Sequence, residues 1–452
     1  MSDPPVVPLK ARSESRRAAE ISSEPVYLAS QLASMCDVDL KTIHNWCARS
    51  ADTDEPAELE SFRTQGGHLR FRHAAVLRFL RRWGYPIPDA LLADRPHVLL
   101  VEGDPSARAA IIEQLGLYRP GDEAAGVVGE ETTGLWCNPR FYLHLWSDPY
   151  TALIALGERV GAGAPPDILV VPAPLAGLDE RAWIRVAREL LGEEGIRCVL
   201  VSPDERPPSS AREPGVVSVV PRTHLDELAG VLLQQSNVLL GRSQKAASRG
   251  RRPRRRRIPI APREPIFVAS QVATIWGVDL KTVHNWVERG DIEAFRTPGR
   301  HLRFRRRALL HLLRRYDKSI PTDLAPHRPK ALVVAPEGSP LDGLAETFAQ
   351  RFDVSLVRDP VRALAEIGLH CAGASLLDAV VIALPWEGID DARWVEALSN
   401  HPDTRYTRVV VVGGDEAKHQ AWQAAGVTAT MTTLQTEVVD TLLSRSLGIA
   451  RA

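Results

Sequence analysis

The sequence predicts an α/β multidomain protein in which two small basic modules alternate with two larger acidic ones. Three observations carry that reading. First, the chain repeats itself: residues 24–46, EPVYLASQLASMCDVDLKTIHNW, and 264–286, EPIFVASQVATIWGVDLKTVHNW, are identical at 14 of 23 positions. A second block follows in each, FRTQGGHLRFR at 62–72 and FRTPGRHLRFR at 295–305, after a spacer seven residues longer in the first copy. Second, a formal net charge of zero hides a strong segregation. Six arginines and no acid lie between Arg63 and Arg82, and eight and none between Arg296 and Arg315, while residues 97–240 hold 20 acids against 11 arginines. Residues 330–445 hold 16 acids against 9 bases, so the whole-chain charge says little about partners. Third, each acidic region opens on a buried-strand pattern, PHVLLVEGD at 96–104 and PKALVVAPEG at 329–338. Short β-branched runs then alternate with helical stretches: DILVVPAP, IRCVLVSPD and GVVSVVPR in the first copy, DAVVIALPW, TRVVVVGGDE and GVTATMTT in the second. That alternation is the mark of a doubly wound parallel sheet.

These signals divide the chain into a polar tail (1–23), a first basic module (24–90), a first acidic module (95–240), an arginine-rich linker (241–263), a second basic module (264–320) and a second acidic module (328–447). The tail is rich in Pro, Ser and Arg without a hydrophobic segment, and reads as flexible chain rather than a signal peptide. The linker's RGRRPRRRR is interrupted by proline and lacks apolar periodicity; it is expected to be a disordered tether that adds nonspecific phosphate affinity.

In each basic module ASQLASMC or ASQVATIW spaces apolar residues as a helix does, with Ser30 or Ser270 near its start as a candidate cap. Asp39 and Asp279 sit at the natural N-cap of a second helix, LKTIHNW or LKTVHNW. Two short helices joined by a tight turn form a helix-turn-helix. On the second, Ile43 and Trp46 are expected to face the core together with Leu40, and Trp286 is likewise a core residue. Lys41, Thr42, His44 and Asn45, and Lys281, Thr282, His284 and Asn285, then project outward, a set suited to base edges and phosphates. The second block reads as a β-hairpin turning at Gly66-Gly67 or Pro298-Gly299, its arginines placed to reach a flanking groove. An amphipathic basic helix closes each module.

These residues resemble the winged helix-turn-helix of the MerR-like/excisionase superfamily of bacterial DNA-binding proteins, over about 60 residues per copy. The RT-PG-RHLRF wing is the most specific part. The resemblance implies the second helix in the major groove and the wing near phosphates or minor groove, and so duplex DNA as partner. By position it points to Lys41, Thr42, His44, Asn45, Arg63, His68, Arg70 and Arg72 in the first copy. In the second it points to Lys281, Thr282, His284, Asn285, Arg296, Arg300, His301, Arg303 and Arg305. MerR regulators dimerise through a long C-terminal coiled coil; no such heptad run occurs here, and two winged helices in one chain could replace the dimer.

The acidic modules resemble response-regulator receiver domains, which are flavodoxin-like (βα)5 folds. In that family two acids after the first strand hold Mg²⁺ and an aspartate after the third accepts a phosphoryl group. Here the acid pair falls on Glu102 and Gly103 with Asp104 next, and Pro172 stands at the acceptor position; Ser202 and Arg222 fall near the family's Thr/Ser and Lys. The second copy has Ala335, Pro336 and Ala383 in the corresponding places. Both modules are therefore expected to be degenerate receivers that serve a homodimer or a partner protein, with no cofactor, no metal and no enzymatic role. No phosphate-binding glycine loop follows either first strand.

No stretch approaches the roughly 18 consecutive apolar residues of a membrane span. The five scattered cysteines, without a CxxC, fit free thiols of a reducing compartment. The expectation is a cytoplasmic, nucleoid-associated DNA-binding transcriptional regulator; the alternative is an architectural or partition-associated scaffold that bridges DNA with little sequence choice.

Overall fold

The computed structural model describes residues 26–48, 57–64, 66–85, 87–92, 95–120, 132–192, 196–248, 266–316, 318, 321, 324, 328–372, 377–401, 404 and 407–447. The expected tail and the arginine run of the linker lie outside the described residues. The described residues form two compact units: one holds those between 26 and 91 together with Pro120 and 295–301, and the other holds the remainder.

The first basic segment begins with β1 (Val26–Leu28), α1 (Ala29–Cys36) and α2 (Leu40–Cys47). It continues with β2 (Phe62–Arg63), β3 (Leu69–Arg72) and α3 (His73–Arg82). Its small antiparallel sheet has the order β1-β3-β2. Leu32, Ile43, Trp46, Phe71, Val76, Phe79 and Leu80 form the buried interior, with Trp46 and Phe79 ring centroids 5.0 Å apart. Each comes from an apolar position at helical or alternating spacing, which is why the pattern could be read from sequence.

The parallel-sheet unit contains two lobes. The first lobe has β4 (His97–Val101), β5 (Gly134–Cys137), β6 (Tyr142–Trp146), β7 (Ile168–Pro172), β8 (Cys198–Ser202) and β9 (Val216–Pro221), in the order β5-β6-β4-β7-β8-β9. Its helices are α4 (Pro105–Gln114), α5 (Pro149–Gly161), α6 (Glu180–Leu191) and α7 (Leu225–Ser248). The same unit carries most of the second basic segment. That segment comprises β10 (Ile266–Val268), α8 (Ala269–Trp276), α9 (Leu280–Glu288), β11 (Phe295–Arg296), β12 (Leu302–Arg305) and α10 (Arg306–Arg315), with sheet order β10-β12-β11. The second lobe has β13 (Lys330–Val334), β14 (Asp353–Val357), β15 (Ala379–Ala383), β16 (Arg408–Val412) and β17 (Ala429–Met431), in the order β14-β13-β15-β16-β17. Its helices are α11 (Leu341–Phe348), α12 (Pro360–Cys371), α13 (Asp391–Asn400), α14 (Glu416–Ala424) and α15 (Thr436–Leu447).

Counted along the chain, the second lobe has strand order 2-1-3-4-5, that of the flavodoxin-like doubly wound sheet. The first lobe departs from a plain (βα)5 plan twice. β5 adds an antiparallel edge strand beside β6. Between β8 and β9, where the second lobe has α14, there is only a single 3-10 turn, Ser209–Arg212. The connection there, SPDERPPSSAREPG, is too rich in proline and serine to sustain an α-helix.

The two lobes share one core through α5 and α12. Every residue of α5 from Pro149 to Gly157 is buried, and Leu153, Ile154, Leu364, Ile367, Trp183 and Trp394 belong to a single cluster. A helix that is apolar all round needs a partner on every side. The helices cross at glycines: a Cβ on Gly157 would stand 1.9 Å from the Ala365 carbonyl oxygen, and one on Gly368 would stand 1.9 Å from that of Ile154. Ile154 and Ala365 precede Gly157 and Gly368 by the same three residues, so the contact is isologous, as in a two-fold dimer. Polar contacts close the rim: Arg393 to Asp148 (3.2 Å), Arg185 to Asp359 (3.2 Å), and the Asp390 N–H donating to the Tyr150 hydroxyl (3.0 Å).

Candidate nucleic-acid interface

The second helix of each basic segment starts on an aspartate. Asp39 accepts the Thr42 backbone N–H at 2.6 Å, and Asp279 that of Thr282 at 2.7 Å. That bond holds both carboxyls below the ordinary carboxylate range. The preceding helices are capped differently from expectation. Ser30 and Ser270 cap nothing; the Gln31 and Gln271 side chains accept the Leu28 and Val268 N–H groups, each at 2.8 Å. A glutamine at the third helical position reaches back where a serine inside the first turn cannot.

Downstream of the cap, Ile43 and Val283 are buried, Trp46 is buried and Trp286 is half-buried. Lys41, His44 and Asn45 are exposed, as are Lys281, His284 and Asn285, whereas Thr42 and Thr282 are half-buried beside the cap. Leu40 does not join the core. It is 49% exposed, and its counterpart Leu280 is 50% exposed. Helical side chains lean toward the N-terminus, and at the first position no preceding turn lies beneath. The outward face therefore reads Leu-Lys-His-Asn in both copies.

The hairpins are built alike. Leu69 and Phe71 point inward and Arg70 and Arg72 outward along β3; Leu302 and Phe304, and Arg303 and Arg305, repeat this along β12. At the turns the Arg63 guanidinium donates to the Gly67 carbonyl at 2.7 Å, and that of Arg296 to the Arg300 carbonyl at 3.1 Å. These arginines hold the turn closed with one N–H and keep others for a ligand. Arg72 lies over the Phe62 ring at 5.8 Å. His68 and His301 are exposed on the hairpins. The left-handed position of the turn is Gly67 (φ 76°) in one copy but Arg300 (φ 59°) in the other.

At the strand ends of the first lobe, Glu102 follows β4 and is only 4% exposed. The Arg222 guanidinium after β9 bonds its carboxylate, and the Asp104 N–H donates to it at 2.8 Å. Arg108 donates to the carbonyls of Glu102 (2.9 Å) and Gly103 (2.8 Å). Among the described residues, the buried acid at this end is thus already paired with a resident cation. Pro172 and Ala383 stand at the ends of β7 and β15, positions that offer no carboxylate. Among the described residues no group of three His, Cys, Asp or Glu side chains is arranged to hold a metal, and no helix is long and apolar enough to cross a membrane.

A helix-turn-helix domain family matches residues 269–317. That span contains the capped helix, the hairpin and the closing basic helix of the second segment. Among solved structures, the BeF3-activated DrrB receiver domain is similar at 15% identity, covering 27% of this chain and 99% of its own, with a TM-score of 0.24. The chemotaxis response regulator CheY4 of Vibrio cholerae is similar at 19% identity, covering 27% of this chain and 100% of its own, with a TM-score of 0.24. The phosphorylated cyanobacterial phytochrome response regulator RcpA is similar at 18%, covering 27% and 91%, with a TM-score of 0.22. No curated protein matches. The structural likenesses are slight, and the lobe topology stands on its own strand order.

The site residues expected from sequence fall into two clusters per module, one on the helix and one on the hairpin. Sequence reasoning missed Leu40 and Leu280, and it missed the lobe pairing. The second was within reach: YTALIALG is apolar from Ala152 on, VRALAEIGL is apolar apart from Arg362 and Glu366, and each run carries a glycine at or next to its end.

Proposed function

We propose that the chain is a DNA-binding transcriptional regulator that engages duplex DNA through two winged helices in cis. The observation that carries this reading is the repetition of one outward face, Lys-His-Asn on an aspartate-capped helix, together with a basic hairpin. The helix-turn-helix match to residues 269–317 supports it. The residues assigned to base edges are Lys41, His44, Asn45, Lys281, His284 and Asn285; those assigned to phosphates and the flanking groove are Arg63, Arg70, Arg72, Arg296, Arg300, Arg303 and Arg305. The lobes act as receiver-like domains without a phosphoacceptor. Their role is pairing rather than catalysis, and the interface that two chains would use is occupied within one. The setting is the cytoplasm, against the nucleoid.

The test is affinity for duplex DNA at 50 and 200 mM salt. With six to ten phosphate contacts the affinity falls about 10³- to 10⁵-fold over that range. Asn285→Ala alters which sequences are preferred, whereas Arg303→Ala weakens all sequences alike. Absent binding at low salt refutes the proposal, and a footprint covering any duplex uniformly favours an architectural scaffold instead.

A further inference from the structure

The polar face of the second helix contains one residue that hydrogen bonding does not explain. Leu40 and Leu280 occupy the first helical position in both copies, each about half exposed, 49% and 50%. One turn further on, Ile43 and Val283 are fully covered. One leucine left in water is ordinary; the same leucine left in water at the same place of two diverged copies is a feature of the surface. It adjoins Lys41 or Lys281, and lies one turn from His44 or His284, so Leu, Lys, His and Asn form one continuous patch.

The charged member of the patch is Lys41 or Lys281, no acid lies within it, and the hairpin of the first module exposes Arg63 and Arg72. That suits a polyanion rather than the apolar surface of another protein. In the major groove the apolar group displayed at the base edges is the thymine 5-methyl. We propose that Leu40 and Leu280 are specificity-determining residues that pack on thymine methyl groups, one in each half-site. This rests on the DNA reading above and adds a chemical preference that the polar residues alone do not supply.

The experiment selects duplexes from a randomised library with the full chain, then prepares the selected duplex with deoxythymidine or deoxyuridine, which differ only by that methyl. Losing one buried methyl weakens binding about fourfold per half-site. The Leu40→Ser/Leu280→Ser chain, altered only at half-exposed positions, binds both duplexes equally and as weakly as the unaltered chain binds the uracil form. Equal affinity of the unaltered chain for the two duplexes overturns the inference while leaving DNA binding intact. A thymine preference that survives in the double variant assigns the methyl to another residue and also overturns it. A change in self-association on substitution, seen by sedimentation, makes the leucines an interface between copies instead. Binding to no duplex at low salt overturns both readings together.

Discussion

Replacing Gly157 or Gly368 by alanine sets two effects against each other, and the sign of the result decides between them. In an isolated helix the change is favourable, because alanine exceeds glycine by about 1 kcal/mol in a helix interior. At the crossing of α5 and α12 the new Cβ would lie 1.9 Å from a carbonyl oxygen of the other helix, where real Cβ atoms are not found under 3.0 Å. The helices must then part by about 1 Å, and the obstacle is backbone, which cannot rotate aside. Overpacking of this kind costs about 1–3 kcal/mol, and a backbone clash falls at the upper end. The net expectation is a loss of about 2 kcal/mol for either single change and more for both together. Gly343, on α11 with nothing within 4 Å of its Cβ position, is the control, and Gly343→Ala should stabilise by about 1 kcal/mol. Urea unfolding followed by tryptophan fluorescence reads both, since Trp183 and Trp394 lie in the shared core. If Gly157→Ala raises the midpoint as Gly343→Ala does, the lobes are not packed as described.

Two more outcomes follow from single residues. Arg300 holds a left-handed conformation that its counterpart gives to Gly67, a cost of about 1–2 kcal/mol for a side chain with a Cβ. Arg300→Gly should raise thermal stability while weakening DNA binding and flattening its salt slope by about 0.9; a variant that is stabilised with unchanged binding would take Arg300 out of the interface. Tyr150 donates to the Gly177 carbonyl and accepts from Asp390, and burial pushes its phenol up to about 12. Because the folded value lies above the ordinary 10, its contribution is complete below pH 10 and is lost as pH rises toward 12. Tyr150→Phe should cost about 1 kcal/mol at neutral pH, the low end because the Asp390 N–H retains the Gly177 carbonyl at 3.0 Å, and should lessen the alkaline loss measured by denaturant unfolding between pH 10 and 12.

What could be read from sequence is what repeats or alternates. The six quoted apolar runs became β7, β8, β9, β15, β16 and β17; the inner four, β7, β8, β15 and β16, are buried at almost every residue, as strands covered on both faces of a parallel sheet are, whereas the edge strands β9 and β17 are mostly half-buried. The strands that escaped notice, β6 in FYLHLW and β14 in DVSLV, carry polar residues within or beside a short run, which blurs the pattern. β5 is an edge strand, where pairing on one side suffices and the sequence demand is weakest. On the second helix the period of 3.6 placed Ile43 and Trp46 correctly but misplaced Leu40, since periodicity assigns a face without knowing that the first turn has nothing beneath it. The crossing of α5 and α12 depends on two segments some 200 residues apart, a relation that local patterns cannot express.

The isologous contact of α5 with α12 is made between segments of one polypeptide, so its equilibrium contains no concentration. Two separate subunits joined by the same surface would come apart on dilution; here the second half is always present because it belongs to the same chain. On the function proposed above, occupancy of a duplex site would rise with the first power of the chain's abundance, without the threshold that subunit assembly imposes. Covalent pairing also lets each half accumulate its own changes, as Arg300 against Gly67 already shows, so a pseudo-symmetric chain can come to recognise an asymmetric target.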